Sequence, residues 1–427
     1  MSRNREAIAL FAEGKISEAL SVTREILANA TAAPDVAMLN LSAACYMQLE
    51  RPERAISCWQ EALNIQPYAV DIHNNLGILL QRQNRVEEAE EAFRKALDIQ
   101  PNRATTLYNF GHFLQEQNRL EEAEGAYRQA ISLQPDFAGA HNNLGNLLKR
   151  QNRLEDAFAA YRQAICLQPD NAKALYNLGG LLHEYNRLEE AEAVYRQALA
   201  LDPTLIEGEH MLSAIRGEHP PQAPEQYVRN LFNAYADHFE ESLVQKLHYD
   251  MPRILHQMLE QTIGKGVQVS RCVDLGCGTG LLGQLFRTLC THLVGIDLSD
   301  KMIAQAAKKA MYDQLYLGDI VATLQQIPVG VDLFLAADVL VYIGALRPLF
   351  QTIQDKSSPG ALFVFSVEHL ESGEYLLRPS GRYAHARAYI ERLAQEHHFS
   401  MLRFETHPLR LEQNQMITGG VYLLQRS

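Results

Sequence analysis

Apolar and polar positions in the first half of the chain repeat with a period of 34 residues. Each unit carries two stretches with the spacing of amphipathic helices, and small, aromatic and proline positions recur in register. These positions are the glycines Gly77, Gly111, Gly145 and Gly179, the alanines Ala55, Ala89, Ala123, Ala157 and Ala191, the aromatic residues Trp59, Phe93, Tyr127, Tyr161 and Tyr195, a second set of alanines Ala62, Ala96, Ala130, Ala164 and Ala198, and the prolines Pro67, Pro101, Pro135, Pro169 and Pro203. Small residues let two helices approach, the aromatic side chain fills the space between them, and proline ends the second helix.

A 34-residue unit with this order of positions resembles the tetratricopeptide repeat. The resemblance implies an all-α superhelix over residues 1–217, made of about six repeats. The first repeat, at 7–28, is divergent, and the pattern at 206–215 predicts a capping helix.

Two sets of asparagines run through the repeats. Asn84, Asn118, Asn152 and Asn186 stand where the first helix of a repeat must end, and asparagine tolerates the left-handed conformation that a helix end requires. The second set lies in mid-helix, where asparagine is not favoured: Asn75, Asn109, Asn143 and Asn177. The array resembles that of O-linked N-acetylglucosamine transferase, whose asparagine ladder grips an extended peptide. The resemblance implies a protein or peptide partner in the concave groove; the alternatives are hydrogen bonding between repeats and an inherited repeat sequence.

The hydrophobic period changes after residue 217. Residues 218–224 hold Pro220, Pro221 and Pro224 and read as a linker. From 225 to 427, two helical segments are followed by strand patterns that alternate with helices, at 270–275, 292–297, 314–317, 331–337, 361–367, 401–406 and 417–424. This alternation predicts a doubly wound α/β sheet of parallel strands, and the short last connection predicts an antiparallel hairpin.

A glycine turn follows the first predicted strand. Asp274 ends the strand, and Gly276, Cys277, Gly278 and Gly280 lead into a helix. The missing side chains let a ligand approach the backbone, and the N–H groups at the helix start favour an anionic group. Gly278, Gly280 and Gly283 also satisfy the dinucleotide fingerprint, so two kinds of cofactor fit this turn alone.

Asp-x-Gly-x-Gly-x-Gly in this setting resembles the first motif of class I S-adenosylmethionine-dependent methyltransferases. The resemblance implies a Rossmann-like, seven-stranded fold and S-adenosyl-L-methionine as cofactor. An acid before the glycines, a Gly-Asp pair after the third strand and the hairpin-ended sheet favour this methyl donor over a dinucleotide. By resemblance the donor contacts Asp274, Gly276, Cys277, Gly278 and Gly280 in the turn, Asp297, Leu298 and Met302 after the second strand, Asp319 and Ile320 after the third, and Tyr235 in a covering helix.

Candidates for the acceptor side come from the loops after the fourth and fifth strands. We expect Asp338, Tyr342 and His385 to take part in catalysis, with His385 as a base. Arg382 and Tyr383 are expected to bind the acceptor, since a guanidinium pairs with a carboxylate in a forked geometry. Ala337-Asp338-Val339-Leu340 replaces the Asp/Asn-Pro-Pro-Tyr signature of methyltransferases that act on base and glutamine nitrogens, which weakens those acceptors.

Composition limits the partners. The net charge of −12 disfavours binding to the nucleic-acid backbone, and no apolar run is long enough to span a membrane. The first 20 residues lack a secretory apolar segment, so we expect a cytoplasmic protein. Six cysteines form no metal-binding spacing, and we expect no metal.

Three functions remain open from the sequence. The first is a methyltransferase whose repeats recruit a protein or peptide. The second is a methyltransferase for a small metabolite, with repeats used only for assembly. The third is a non-catalytic repeat scaffold, which the intact cofactor residues disfavour.

Overall fold

The computed structural model describes residues 3–29, 34–236, 239–240, 250–264, 266, 268–412 and 415–427. The chain divides into two compact units, Met1–Leu181 and Leu182–Ser427. The domain boundary at residue 217 stays a prediction. Within the described ranges, no helix has both the length and the apolar character needed to cross a membrane.

The helical repeats follow the predicted period. Their helices are α1 (Arg3–Ala12), α2 (Ile16–Ala28), α3 (Val36–Gln48), α4 (Pro52–Ile65), α5 (Val70–Arg82), α6 (Val86–Ile99), α7 (Ala104–Glu116), α8 (Leu120–Leu133), α9 (Ala138–Arg150), α10 (Leu154–Leu167), α11 (Ala172–Glu184), α12 (Leu188–Leu201) and α13 (Ile206–Arg216). The capping helix expected at 206–215 is α13.

Gly77, Gly111 and Gly145 each face the aromatic ring of the next helix. A Cβ built on Gly77 would lie 3.0 Å from the ring of Phe93, and one on Gly111 would lie 2.9 Å from Tyr127. At Gly145 the nearest atom of the Tyr161 ring would be 2.6 Å away. The alanines and rings of the predicted core are buried. Close packing of small on aromatic residues, expected from the sequence, is therefore confirmed.

The helix-ending asparagines are also confirmed. Asn84, Asn118, Asn152 and Asn186 have positive φ angles of 58°, 59°, 59° and 57°. Asparagine adopts this left-handed conformation at lower cost than most residues, so the first helix of each repeat stops there and the chain turns into the second.

The second half forms the predicted α/β domain. Its helices are α14 (Glu225–Tyr235), α15 (Met251–Ile263), α16 (Leu281–Phe286), α17 (Asp300–Lys308), α18 (Ile320–Leu324), α19 (Arg347–Lys356) and α20 (Arg387–Glu396). Its strands are β1 (Val269–Leu275), β2 (Cys290–Asp297), β3 (Gln314–Leu317), β4 (Val331–Ala336), β5 (Ser357–Leu370), β6 (Tyr375–Leu377), β7 (Tyr383–Ala386), β8 (Phe399–Glu412) and β9 (Gln415–Arg426). Residues 237–238 and 241–249, which the sequence placed in two helices, lie outside the described residues.

The strand order of the sheet reverses at β1. Strands β1, β2, β3, β4 and β5 are parallel, and β1 pairs with β2 on one side and β4 on the other. Antiparallel β9 pairs with both β5 and β8, as the final hairpin predicts. The seven expected strands are present, but the sequence missed β6 and β7. The segment interpreted as an acceptor loop is instead a hairpin, with β7 parallel to the end of β5.

Both faces of the sheet are buried. In β5, Phe363 and Phe365 belong to one apolar cluster while Leu362 and Val364 belong to the other. A strand covered on both sides needs apolar residues at every position, which explains its continuous hydrophobic run. The carboxyl ends of the parallel strands remain as the place where loops converge.

We predict that Gly145→Ala destabilises the repeats. The added Cβ would meet the Tyr161 ring at 2.6 Å, and overpacking of this kind costs about 1–3 kcal/mol, partly offset by the better helix propensity of alanine. The free energy of unfolding, measured in urea, should fall by about 1–2 kcal/mol.

Gly125→Ala is the matched control, because nothing lies within 4 Å of a Cβ at Gly125 in α8. That variant should be about 0.5–1 kcal/mol more stable than the wild type. Equal effects of the two substitutions would contradict the packing argument.

Candidate functional site

The glycine turn after β1 contacts both β2 and the loop after β4. The N–H groups of Gly276 and Cys277 both donate to the carbonyl of Ile296 in β2, at 2.8 and 2.9 Å. A Cβ on Gly276 would lie 2.6 Å from the Cβ of Val339, so only glycine fits at this approach. The turn therefore lies at the reversal point of the sheet, where ligands bind in open α/β folds.

Asp297 joins the loops after β1 and β2. Its Oδ2 accepts the N–H of Gly278 at 2.8 Å, and its Oδ1 accepts the N–H of Ser299 at 2.8 Å. Burial raises the pKa of this carboxyl above its ordinary value, although the backbone N–H groups of Ser299 and Gly278 act in the opposite direction. A carboxylate has about four acceptor positions, so Asp297 can accept further hydrogen bonds from a ligand.

Asp274 lies below the turn and does not line the cavity. The hydroxyl of Tyr312 donates to Asp274 Oδ2 at 2.7 Å, while the buried Oδ1 has no hydrogen-bond partner among the described residues. Burial raises the pKa of Asp274 to about 7, against the lowering effect of the Tyr312 bond, and the charge of Asp297 adds to the rise. Tyr312 is itself packed on Gly283, where a Cβ would be 2.5 Å from its hydroxyl.

The end of β3 supplies a third acid. Asp319 Oδ1 accepts the N–H of Ala322 at 2.9 Å and so begins α18. Asp319 and Ile320 both line the cavity. Asp319 therefore caps α18 and lines the cavity at the same time.

The end of β4 carries a strained acid. Asp338 has a φ of 52°, an uncommon conformation for a non-glycine residue. Its N–H donates to Ser366 Oγ at 2.9 Å, and the Ser366 hydroxyl donates back to Asp338 Oδ1 at 3.0 Å. Backbone strain held by such contacts is concentrated at functional sites.

These loop ends enclose a cavity of about 210 Å³ within the second unit. It is lined by backbone of the glycine turn, acids at the strand ends and apolar side chains: Gln222, Ala223, Glu225, Val228, Phe232, Phe239, Pro252, Gly276, Cys277, Gly278, Thr279, Leu281, Leu282, Asp297, Leu298, Asp319, Ile320, Ala337, Asp338, Val339, Val341, Tyr342, Ile343, Arg382 and Leu409. Phe232 packs edge-on against Phe239 and Tyr342, with ring centroids 6.1 and 5.4 Å apart.

Most of the residues that the sequence analysis assigned to the cofactor and acceptor sites of the second domain line this cavity. They are Gly276, Cys277, Gly278, Asp297, Leu298, Asp319, Ile320, Asp338, Tyr342 and Arg382. Gly280 lies just beyond the lining, as N-cap of α16. Met302 is buried in α17 and lies outside the lining.

Tyr235 is placed wrongly by the sequence argument. Its side chain is 54% exposed and does not line the cavity. Phe232, one turn earlier, lines it instead, because the apolar face of α14 turns toward the cavity. Phe239, beyond the end of α14, also lines the cavity. Asp237 and His238, between them in the sequence, lie outside the described residues.

His385 does not reach the cavity and is not suited to act as a base. It lies in β7 and is buried, and its Nε2 donates to the carbonyls of Ile343 and Gly344 at 2.9 and 3.0 Å. Burial lowers the pKa of His385 to about 4, so the ring is neutral. Tyr383 is buried in the same strand and also lies outside the lining. His385 and Tyr383 were expected at the acceptor site because the sequence analysis missed the hairpin of β6 and β7.

Asn109, Asn143 and Asn177 of the mid-helix set hydrogen-bond to the preceding repeat. Asn109 Nδ2 donates to Asn74 Oδ1 at 3.0 Å, and Asn177 Nδ2 donates to Asn142 Oδ1 at 2.9 Å. Asn143 Nδ2 donates to the hydroxyl of Tyr108 at 3.1 Å. Asn75 Oδ1 accepts from Asn74 at 3.4 Å. The inter-repeat alternative is thus present, and the half-buried ladder keeps part of its surface exposed.

The sequence missed the contribution of the linker. Gln222 and Ala223 line the cavity, and the carbonyl of Pro221 accepts the N–H groups of Gly344 and Ala345. The proline content of residues 218–224 indicated a join between domains but did not predict these contacts of the linker.

A second contact that the sequence did not predict lies at the glycine turn. Thr279 donates to Glu240 Oε1 at 2.6 Å, and Lys309 pairs with the same oxygen.

Comparison with known families agrees with both halves. Models described as tetratricopeptide repeat match residues 34–102, 68–136, 126–159 and 172–205, and one described as TPR repeat matches 145–184. A model described as methyltransferase domain matches 273–363. The chain thus carries tetratricopeptide repeats followed by a methyltransferase domain on a Rossmann-like sheet. A search of curated proteins finds no match.

Solved structures resemble part of the chain. PilF of Pseudomonas aeruginosa is 24% identical over 42% of this chain and 81% of its own, with a TM-score of 0.39. A tetratricopeptide repeat protein from Parabacteroides merdae is 17% identical over 50% of this chain and 83% of its own, with a TM-score of 0.42. YrrB, a TPR protein with an unusual peptide-binding site, is 20% identical over 46% of this chain and 96% of its own, with a TM-score of 0.34.

The buried Asp274 predicts a pH-dependent stability. Its folded pKa of about 7 lies above the value of about 4 in an unfolded chain, so the folded state binds the proton more tightly. The stabilisation of the folded state that comes from protonation of Asp274 is complete below about pH 4 and is lost as the pH rises to about 7. Relative to Asp274→Asn, which stays neutral, the wild type should lose about 1.4 kcal/mol of unfolding free energy per pH unit between pH 5 and 7.

Urea unfolding of both proteins from pH 5 to pH 9 measures this difference, which should level off above about pH 7. Tyr312→Phe removes the bond that lowers the pKa of Asp274, so the loss should continue to higher pH. A difference that is constant across the whole range would show that Asp274 is ionised throughout.

Proposed function

We propose that this chain is an S-adenosyl-L-methionine-dependent methyltransferase whose repeats recruit a protein or peptide substrate or partner. The observation that carries the proposal is one cavity on which the glycine turn and the ends of β2, β3 and β4 converge. The family match to a methyltransferase domain covers these same strand ends.

The residues present fit this donor. Carboxylates of Glu225, Asp297, Asp319 and Asp338 line the cavity, and a low-dielectric site with several acids favours a ligand that carries positive charge. Asp297 would accept hydrogen bonds from the ribose hydroxyls, and the backbone of Gly276 and Gly278 would allow close approach of the methionine part. Leu298 and Ile320 would flank the adenine, with Asp319 beside them. When bound, the donor supplies an electrophilic methyl group on a sulfonium.

The acceptor would lie toward the end of β4 and the start of β7. Asp338, Tyr342 and Arg382 line this part of the same cavity. Methyl transfer is a displacement in which orientation of the two reactants supplies much of the acceleration, and a base is needed only for an acceptor that must lose a proton. Asp338, fixed by its reciprocal bonds to Ser366, is the group we assign to orient the acceptor and to take such a proton.

The repeats would supply recognition outside the cavity. Stacked repeats form extended concave surfaces that bind partners, and the half-exposed ladder of Asn75, Asn109, Asn143 and Asn177 offers amide groups for a peptide backbone. Their hydrogen bonds to Asn74, Asn142 and Tyr108 would hold these amides in fixed orientations, which reduces the entropy lost on binding.

Asp297→Asn tests the donor site. A hydrogen bond to a charged acceptor contributes about 1.5–3 kcal/mol, so the Kd for S-adenosylmethionine should rise about 10- to 100-fold in calorimetric titration. Absence of binding by the wild type would refute the proposed function itself.

Asp332→Asn is the matched control. Asp332 also accepts two backbone N–H groups, from Ser270 and Arg271 at 2.9 and 3.0 Å, but at the amino end of the strands. Its substitution should leave donor binding unchanged. An equal loss in both variants would assign the effect to general destabilisation.

Recruitment is tested with the full chain, labelled donor and a cell extract separated into protein and small-molecule fractions. We expect label in the protein fraction, and less of it when the four ladder asparagines are replaced by alanine, with donor Kd unchanged. Label confined to the small-molecule fraction would instead indicate a metabolite methyltransferase.

A further inference from the structure

The capping helix α13 contacts the hairpin that carries Arg382. His210 of α13 is buried, and its Nε2 lies 2.9 Å from the carbonyl oxygen of Gly381. Because a carbonyl can only accept, the ring donates, and the neutral tautomer carries its proton on Nε2. Burial lowers the pKa of His210, against the raising effect of this bond, which agrees with a neutral ring.

The tip of this hairpin fits closely on α13 and α14. Gly381 has a φ of 77°, and a Cβ there would lie 3.0 Å from Met211 Sδ and 3.2 Å from the Tyr227 hydroxyl. The His210 ring packs against the rings of Tyr227 and Tyr383, with centroids 4.8 and 6.3 Å apart. Arg382, the next residue, lines the cavity. The position of its backbone is therefore set by α13.

The loop that carries Tyr342 forms the neighbouring wall of the cavity and is also held by hydrogen bonds. The Pro221 carbonyl accepts the N–H groups of Gly344 and Ala345 at 2.9 and 2.8 Å, and the Ala223 N–H donates to the Tyr342 carbonyl at 2.9 Å. On the other side, His385 donates to the carbonyls of Ile343 and Gly344. The loop that carries Tyr342 is thus fixed between the linker and β7.

We propose that His210 is a positioning residue for the acceptor site. It holds the Gly381 carbonyl so that Arg382 is presented to the cavity, and it sets the affinity for the acceptor while leaving the donor site unaffected. This inference rests on the proposed methyltransferase function. A buried carbonyl that loses its donor is costly, so the hairpin without His210 would shift to find another partner.

A double-mutant cycle in the full-length protein tests it. The proteins are wild type, His210→Ala, Arg382→Ala and the double variant, and the acceptor is the extract fraction that the wild type labels from the methyl donor. We expect each single substitution to raise the apparent KM for this fraction about tenfold, with kcat within about threefold and donor Kd unchanged. The double variant should be no worse than Arg382→Ala, because the two residues act through one contact.

Two further variants separate the hydrogen bond from packing. His210→Gln keeps an N–H donor and should restore most of the acceptor affinity, whereas His210→Phe keeps the ring and should behave like His210→Ala. Ser213→Ala, on the same helix and bonded to Glu218, should match the wild type. Hydrogen exchange at the amides of Gly381 and Arg382 should accelerate in His210→Phe and stay slow in His210→Gln.

Several outcomes would overturn the assignment. Additive losses in the cycle, an unchanged KM in His210→Phe, or slow exchange at Gly381 in that variant would each show that His210 only stabilises the fold. If the wild type neither binds the donor nor transfers label, the proposed function fails and this inference fails with it. If transfer is intact and the losses are additive, only the role of His210 is refuted.

Discussion

The Asp297 carboxylate holds the centre of the second domain together. It accepts one N–H from the glycine turn after β1 and one from the loop after β2, and so fixes two backbones that leave the sheet at its reversal point. The turn can lie there only because Gly276 leaves room for Val339 of the loop after β4. One carboxylate and one missing side chain thereby bring three strand ends to a single cavity.

The same junction concentrates negative charge in a place with little water. Asp274 and Asp297 are buried close enough for the charge of one to raise the pKa of the other, and Tyr312 gives Asp274 only one hydrogen bond. Burial of acids without full pairing is unfavourable for the protein alone. This electrostatic cost would fall if a cationic group entered the cavity. Arg382 adds a guanidinium to the lining of the same cavity.

The parts that the sequence predicted well depend on short-range signals. A 34-residue period, asparagines at helix ends and acids directly after strands are readable because each residue acts on backbone within a few positions of itself. The residues it misplaced depend on contacts far along the chain. His385 and Tyr383 looked like loop residues because β7 has only four residues, and its pairing partner β5 ends 13 residues before it. Phe232 and Tyr235 lie on one helix, and only the packed structure distinguishes the face that lines the cavity.

Two residues of the 218–224 segment, which reads as a spacer, form part of the cavity wall. Pro221 and Ala223 bond the loop that carries Tyr342, and Gln222 and Ala223 face the ligand space. Proline has no N–H, yet its carbonyl remains a full acceptor, and Pro221 uses that acceptor twice. If recombination joined other repeats to this sheet within residues 218–224, it would therefore replace part of the cavity wall as well as the linker between the domains. Because α13 also contacts the hairpin through His210, recombination would preserve these contacts only at a crossover on the amino-terminal side of α13.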